Sequence, residues 1–185
     1  SSDRRGYPFG IMYPDLLLYP AALLRLAGFT LENAYRFFVL YITALTSLIT
    51  WYSLYRVTHN DPIALTGTAL YVLSPDRLDL ARSALGSFSA RAFLPLIIYG
   101  LWNIFTTPSH DRRHKWCWAP LAIGFSGLLN THILSLELGG LLAVAICLFY
   151  FRQTFTRMAL TRIAKASVAT ILCNLWFLVP FLQFF

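Results

Sequence analysis

Charge is what this sequence has least of. Only 12% of its 185 residues are Asp, Glu, Lys or Arg, against about 25% in an ordinary soluble domain. With 57% of residues hydrophobic, too little polar surface remains to coat a water-soluble globule. Acidic residues are the scarcer sign, 8 against 15 Lys and Arg. The resulting charge of +7 does not indicate nucleic acid as a partner, because the basic residues flank apolar runs and form no stripe on a polar domain. Basic loops beside apolar runs are what membrane topology produces, so membrane lipid is the expected surrounding. Cysteine is sparse: Cys117, Cys147 and Cys173 sit within apolar runs, at spacings that fit neither a zinc site nor a disulfide framework, and read as small buried hydrophobes. An initiator Met is missing, Ser1 to Arg5 lacks the apolar core of a signal peptide, and the last residues, Phe184 and Phe185, fall inside an apolar run. The chain therefore reads as an internal fragment. Neither a repeat nor a low-complexity tract is present.

What the sequence does have is long uncharged stretches, several close to the roughly 20 residues that cross a bilayer. The expected fold class is all-α, a single polytopic transmembrane helix bundle over 1–185. Spans are expected at about 34–56, 62–74, 90–106, 116–130, 133–151 and 166–185. Residues 13–27 suit a short interfacial helix: Pro14 fits a first turn, Pro20 should kink or break the helix, and Gly28 ends it. Thr30 is an N-cap for the first span. Ser74-Pro75-Asp76-Arg77 is a helix start in which Ser caps, Pro takes the first turn and Asp76 faces the positive helix end. The stretch 75–89 is amphipathic, with Asp76, Asp79, Arg82 or Ser83, and Ser87 on one side and Leu78, Leu80, Ala81, Leu85 and Phe88 on the other. Asn130-Thr131-His132 is a polar break inside a run too long for one crossing, so two spans should meet there in a hairpin.

The basic loops at 112–115 and 152–165 should be cytoplasmic. The opposite face then holds the N-terminal Gly/Pro segment, the amphipathic helix and the His132 turn, with arginines and acids mixed. That face is where a polar substrate is expected. Asp15, Asp76, Asp79 and Glu137 are candidate general bases or, with no cofactor otherwise implied, ligands of a divalent metal ion. Glu137 stands out because an ionisable group inside a span is costly. Tyr13, Arg77, Arg82 and His132 are candidate substrate contacts, since arginines grip phosphate in bidentate fashion. Each has a plainer reading beside it. Asp15 and Asp76 suit helix starts, Asp79 and Arg82 are spaced as a surface pair, His132 can satisfy the backbone of its turn, and Glu137 can bond a neighbouring helix. Trp and Tyr at span ends read first as an aromatic belt.

Gly6-Tyr7-Pro8-Phe9, Tyr13-Pro14-Asp15-Leu16 and Ala34-Tyr35-Arg36 opening a span resemble the GT-C superfamily of membrane glycosyltransferases. More closely, the chain resembles bacterial multi-spanning proteins labelled as 6-pyruvoyl-tetrahydropterin-synthase-related membrane domains, on Ser74-Pro75-Asp76-Arg77, Arg82-Ser83-Ala84 and Thr131-His132. The similarity runs over most of the chain through short motifs. It departs at Asp15, where the family has a second Pro, and at Ser87, near where an acidic residue is common. The family's main catalytic acid, after its first span, should lie upstream, with Asp3 as its nearest acidic neighbour here.

The resemblance implies a GT-C-like bundle with interfacial helices on the non-cytoplasmic face of a bacterial inner membrane. It also implies inverting transfer of a sugar from a polyprenyl-phosphate donor to a cell-envelope acceptor. It puts Arg77 and Arg82 near the phosphate, Asp15, Asp76 or Asp79 at the acceptor or a metal, and His132 in the pocket wall. Two other functions fit the same residues: a transporter or flippase of a lipid-linked or small polar substrate, served by broken helices and an intramembrane Glu, and a non-catalytic assembly subunit.

Overall fold

The computed structural model describes residues 16–108 and 115–184. Every regular element among them is helical. After a 3-10 turn at Leu16–Leu18 come α1 (Tyr19–Leu26), α2 (Leu31–Thr58), α3 (Asp61–Val72), α4 (Pro75–Ser83), α5 (Leu85–Ala90) and α6 (Leu94–Thr106). Beyond the 109–114 segment follow α7 (Ala119–Leu129), α8 (Ile133–Phe149), α9 (Phe151–Thr154), α10 (Arg157–Cys173) and α11 (Leu175–Phe184).

Local chemistry sets most boundaries. The Thr30 hydroxyl accepts from the Asn33 amide to cap α2, Asn60 accepts from Ile63 to cap α3, and Thr156 accepts from Ala159 to cap α10. These side chains satisfy amide donors that a helix start leaves unpaired. Gly28, at φ 92, turns the chain out of α1. His59, at φ 51, closes α2 in a left-handed cap and sets its ring edge-on to Tyr55. Pro20 does not kink α1: it occupies the first turn, where the missing amide donor costs nothing.

Two hairpins, α2–α3 and α6–α7, form the body of the bundle, with α2 against α6 and α10 against α7. α2 is apolar around most of its circumference, yet it buries one narrow stripe at Ala34, Phe38, Ile42, Thr46, Thr50 and Ser53. Phe38 and Ile42 pack with Ala81 and Phe88, while Tyr52 meets Tyr99 edge to face, so α2 and α6 run in the same direction. The main core joins Ile97, Leu101 and Ile104 of α6 to Leu121 and Leu128 of α7 and Ala166 of α10. Small residues let α6 and α7 approach closely. A Cβ on Gly100 would stand 2.6 Å from the Leu121 amide nitrogen, and one on Gly124 would stand 2.7 Å from Ile97.

Several expected elements differ in form. The 75–89 helix is two helices, because Ala84 adopts φ −151, ψ 80 and breaks it. Ser74 does not cap with its side chain; its hydroxyl donates to the Tyr71 carbonyl, and its own carbonyl receives Arg77 and Leu78. The basic stretch 152–165 is no loop but helix, α9 and the first turns of α10. Arg, Lys, Ala and Leu are all strong helix formers, and hydropathy alone does not register that. The last expected span is split: α10 and the helix after it meet at 72°, with buried Asn174 at the corner. Of the expected crossings, the helices Leu31–Thr58 and Leu85–Thr106 (α5 and α6 taken together) are long and apolar enough to span a membrane, and the bent pair makes a third if it acts as one span. α3, α7 and α8 are shorter, with 12, 11 and 17 residues.

The helix ends gather at two poles. Arg162 of α10 donates to the Ile104 and Thr107 carbonyls at 2.6 and 2.8 Å, joining the end of α6 to the start of α10. At the other pole, Asn130 after α7 donates its amide to Asn174, and Asn174 donates to Ser126 Oγ at 2.9 Å and to the Thr170 carbonyl at 2.6 Å. That pole also holds α4, α5 and the 130–132 turn.

Candidate functional site

α4 carries Asp76, Arg77, Asp79 and Arg82 within an otherwise apolar bundle, and three unlike ties hold it in place. The first is Arg77, which is fully buried with 0% exposure. Its Nη2 donates to Thr46 Oγ1 of α2 at 2.8 Å, its Nη1 approaches the Val72 carbonyl at 3.4 Å, and its guanidinium lies 4.3 Å from the centre of the Phe88 ring. Burial lowers the proton affinity of this guanidinium; the Tyr71 phenol opposes the effect and Arg91 reinforces it. Arginine nevertheless stays protonated, so a positive charge sits inside this pole, held by hydroxyl, carbonyl and ring face. The second tie is the Tyr35 hydroxyl of α2, which donates to the Ala81 carbonyl at 2.6 Å. The third is the ion pair of Asp76 with Arg91, whose carbonyl in turn receives the Tyr71 hydroxyl at 2.7 Å.

With α4 so fixed, Asp79 and Arg82 project outward and are exposed. Their i,i+3 spacing does not produce a pair: among the described residues the ion pairs are Arg36 with Glu32 and Arg91 with Asp76. The break at Ala84 then turns the chain so that Gly86 lies against the His132 turn. A Cβ at Gly86 would stand 3.0 Å from the His132 ring and 3.2 Å from the Thr131 carbonyl. His132 is the N-cap of α8. Its Nδ1 accepts from the Ser135 amide at 3.3 Å and lies 2.9 Å from Ser135 Oγ and 3.4 Å from Ser87 Oγ. Burial pulls the ring's proton affinity below its ordinary value, which favours the neutral form that capping needs. A small cavity of about 40 Å³ lies beside this corner, between Leu17, Phe38, Gly86, Ser89 and Asn130.

The candidates therefore divide. Asp76, Asp79, Arg82 and His132 belong to the α4–α5 corner and the turn beside it. Arg77, expected near a substrate phosphate, lies wholly buried, with Nη2 on Thr46, Nη1 near the Val72 carbonyl and its guanidinium over Phe88, where it helps to position α4. Glu137 lies on the exposed side of α8 among Leu134, Leu138 and Leu141 and shares no hydrogen bond or ion pair with a described residue. Tyr13 and Asp15 lie outside the described residues, as does the Gly6 to Phe9 motif. Among the described residues no three His, Cys, Asp or Glu side chains converge as metal ligands do.

Tyr35, Thr46 and Arg91 were not expected at this site. Each pairs with a residue on another helix, and spacing along one helix carries no signal of that.

The fold and this corner define an all-helical protein with two or three helices able to cross a membrane. The chain matches no protein-family model, no curated protein and no solved structure.

Proposed function

We propose that the chain is the membrane bundle of an inverting glycosyltransferase of GT-C type, which takes its sugar from a polyprenyl-phosphate-linked donor. The observation that carries this reading is the rigid mounting of a polar helix at one pole of an apolar bundle, with Asp79 and Arg82 left uncommitted on its surface. In the proposed reaction the Asp79 carboxylate accepts the proton of the acceptor hydroxyl. The acceptor oxygen bonds to the anomeric carbon as the bond from that carbon to the phosphate oxygen breaks. The phosphate departs with the electron pair toward Arg82, a planar cation suited to it. Asp76 is already paired with Arg91, which leaves Asp79 as the carboxylate open to an acceptor.

The same reading supplies the topology. The chain crosses a bacterial inner membrane several times, with the pole of Lys115 and Arg157 cytoplasmic and the α4 pole on the outer side, in line with the positive-inside rule. The shorter helices α3, α7 and α8 complete the bundle within the bilayer beside the longer ones.

The test is sugar transfer by the full-length protein in lipid. Asp79→Asn is expected to lower kcat about 10²- to 10⁴-fold, and Arg82→Ala about 10²- to 10³-fold. Unchanged turnover in both variants overturns the assignment. Cysteines placed at Asp79 and Arg157 should be labelled from opposite sides of the membrane, and labelling from one side overturns the topology.

A further inference from the structure

At the pole opposite α4, a cleft of about 470 Å³ opens between the start of α7 and the first turns of α10. Its walls carry Lys115, Arg157, Arg162 and Lys165, with Trp118 and Met158 between them. Arg162 is already committed to the carbonyls of Ile104 and Thr107, so it adds charge to the wall while serving as a strut. Lys115, Arg157 and Lys165 are exposed and form no ion pair among the described residues. Arg157 is the first residue of a 17-residue helix, whose positive end adds to the field in the cleft. Three cations with no ion-pair partner among the described residues repel one another on this concave surface, and an anion held among them removes that cost.

Two neighbouring features identify the kind of anion. Trp116, 68% exposed, stacks at a tilt 5.8 Å from Trp118, and Phe149, Tyr150, Phe151 and Phe155 are also exposed at this pole. Tryptophan and tyrosine settle at the headgroup level of a bilayer. An apolar groove of about 370 Å³ also runs along the adjoining face of α10, lined by Leu121, Phe125, Ala143, Cys147, Ile163 and Ala166. α10 lines both spaces, and Trp118 of the cleft is the residue that precedes α7. On α10 the two spaces lie on either side of the buried Arg162 and Ala166, which are about one turn apart.

We propose that this cleft binds the phosphate headgroup of an anionic phospholipid, with an acyl chain lying in the apolar groove. The site is separate from the α4 corner and does not depend on sugar transfer. Basic recesses between helices at the cytoplasmic surface are suited to acidic lipid headgroups, and the groove distinguishes a lipid from free phosphate.

Full-length protein in detergent is titrated with short-chain phosphatidylglycerol, with phosphatidylcholine of the same chain length, and with inorganic phosphate; native mass spectrometry counts what is bound. Phosphatidylglycerol should bind in preference to both others. Arg157→Gln and Lys165→Gln should each weaken it about five-fold, the value of one cation near a lipid phosphate, and Lys165→Arg should retain binding. Arg152→Gln, on α9 outside the cleft, should leave it unchanged. Equal binding of phosphatidylglycerol and phosphatidylcholine, or an equal loss in Arg152→Gln, overturns the proposal. Inorganic phosphate binding as tightly as the anionic lipid, with the same dependence on Arg157 and Lys165, overturns the lipid assignment. Both substituted side chains are exposed and tie no other element among the described residues, so the variants should unfold at the parent temperature.

Discussion

Arg77 of α4 donates to the hydroxyl of Thr46, 31 residues earlier on α2, at 2.8 Å, and the same hydroxyl donates to the Ile42 carbonyl at 2.7 Å. One threonine thus links the backbone of the longest helix to a buried cation.

Thr46→Val keeps the shape and removes the acceptor. A charged donor is left short of a partner in a closed site, which costs about 1–3 kcal/mol. Thermal unfolding in micelles, followed by circular dichroism, should show the loss. Arg77→Lys should not restore a wild-type midpoint, because an ammonium cannot serve both oxygens and also stack on Phe88. A wild-type midpoint in both variants would remove Arg77 as the anchor of α4.

The closest helix crossing predicts an asymmetric pair of glycine substitutions. At Gly100 an added methyl meets the backbone of Leu121 at 2.6 Å, and backbone cannot swing aside; at Gly140 nothing lies within 4 Å. Gly100→Ala should destabilise the α6–α7 hairpin by about 1–3 kcal/mol. Gly140→Ala should be neutral or stabilising by up to about 1 kcal/mol through helix propensity. The two unfolding midpoints should therefore move in opposite directions or differ by the whole of the first effect.

Buried amides at the α10–α11 corner give a third prediction. Asn174→Ala removes the acceptor for the Asn130 amide and the donor to Ser126. Asn130 is buried and Ser126 partly so, so a loss of about 1–3 kcal/mol is expected, and amide exchange after α7 should rise with it.

His132 makes stability depend on pH. Its folded proton affinity lies below the ordinary value of 6.5, through burial. As pH falls below 6.5 the unfolded chain takes up a proton that the folded chain resists, so stability is full above that pH and declines below it. Protonation at Nδ1 also ends its capping of the Ser135 amide. His132→Asn, which caps without titrating, should flatten the unfolding midpoint across this window. An unflattened profile would assign the pH response to another group.

Local signals were legible in the sequence wherever a residue acts on its own neighbours. Thr30 opens α2, Gly28 closes α1 and the polar 130–132 break starts α8, each by bonds that span three or four residues. The helical character and the scarcity of charge followed from composition. The break at Ala84 did not show, because an alanine is the best of helix formers and the turn there is shaped by the contact between Gly86 and His132. Nor did the inward turn of Arg77. Its neighbours Asp76 and Asp79 face outward, and the partners that draw it in, Thr46 and Phe88, lie on other helices. For the site, residue type singled out Asp79 and Arg82 as candidates, yet the ties through Tyr35 and Arg91 that fix α4 beneath them are tertiary.

The clasp of Arg162 has a meaning in time as well as in space. α2 with α3, and α6 with α7, are neighbours along the chain and can pair as soon as both members are made. The Ile104 and Thr107 carbonyls must wait for Arg162, which comes 58 and 55 residues later in the chain. Contacts over such separations form late, because the intervening chain must first be ordered. Pulse-labelling of amides during refolding should therefore find the two hairpins protected before the first turns of α10. The basic pole would then be the last part of the molecule to mature.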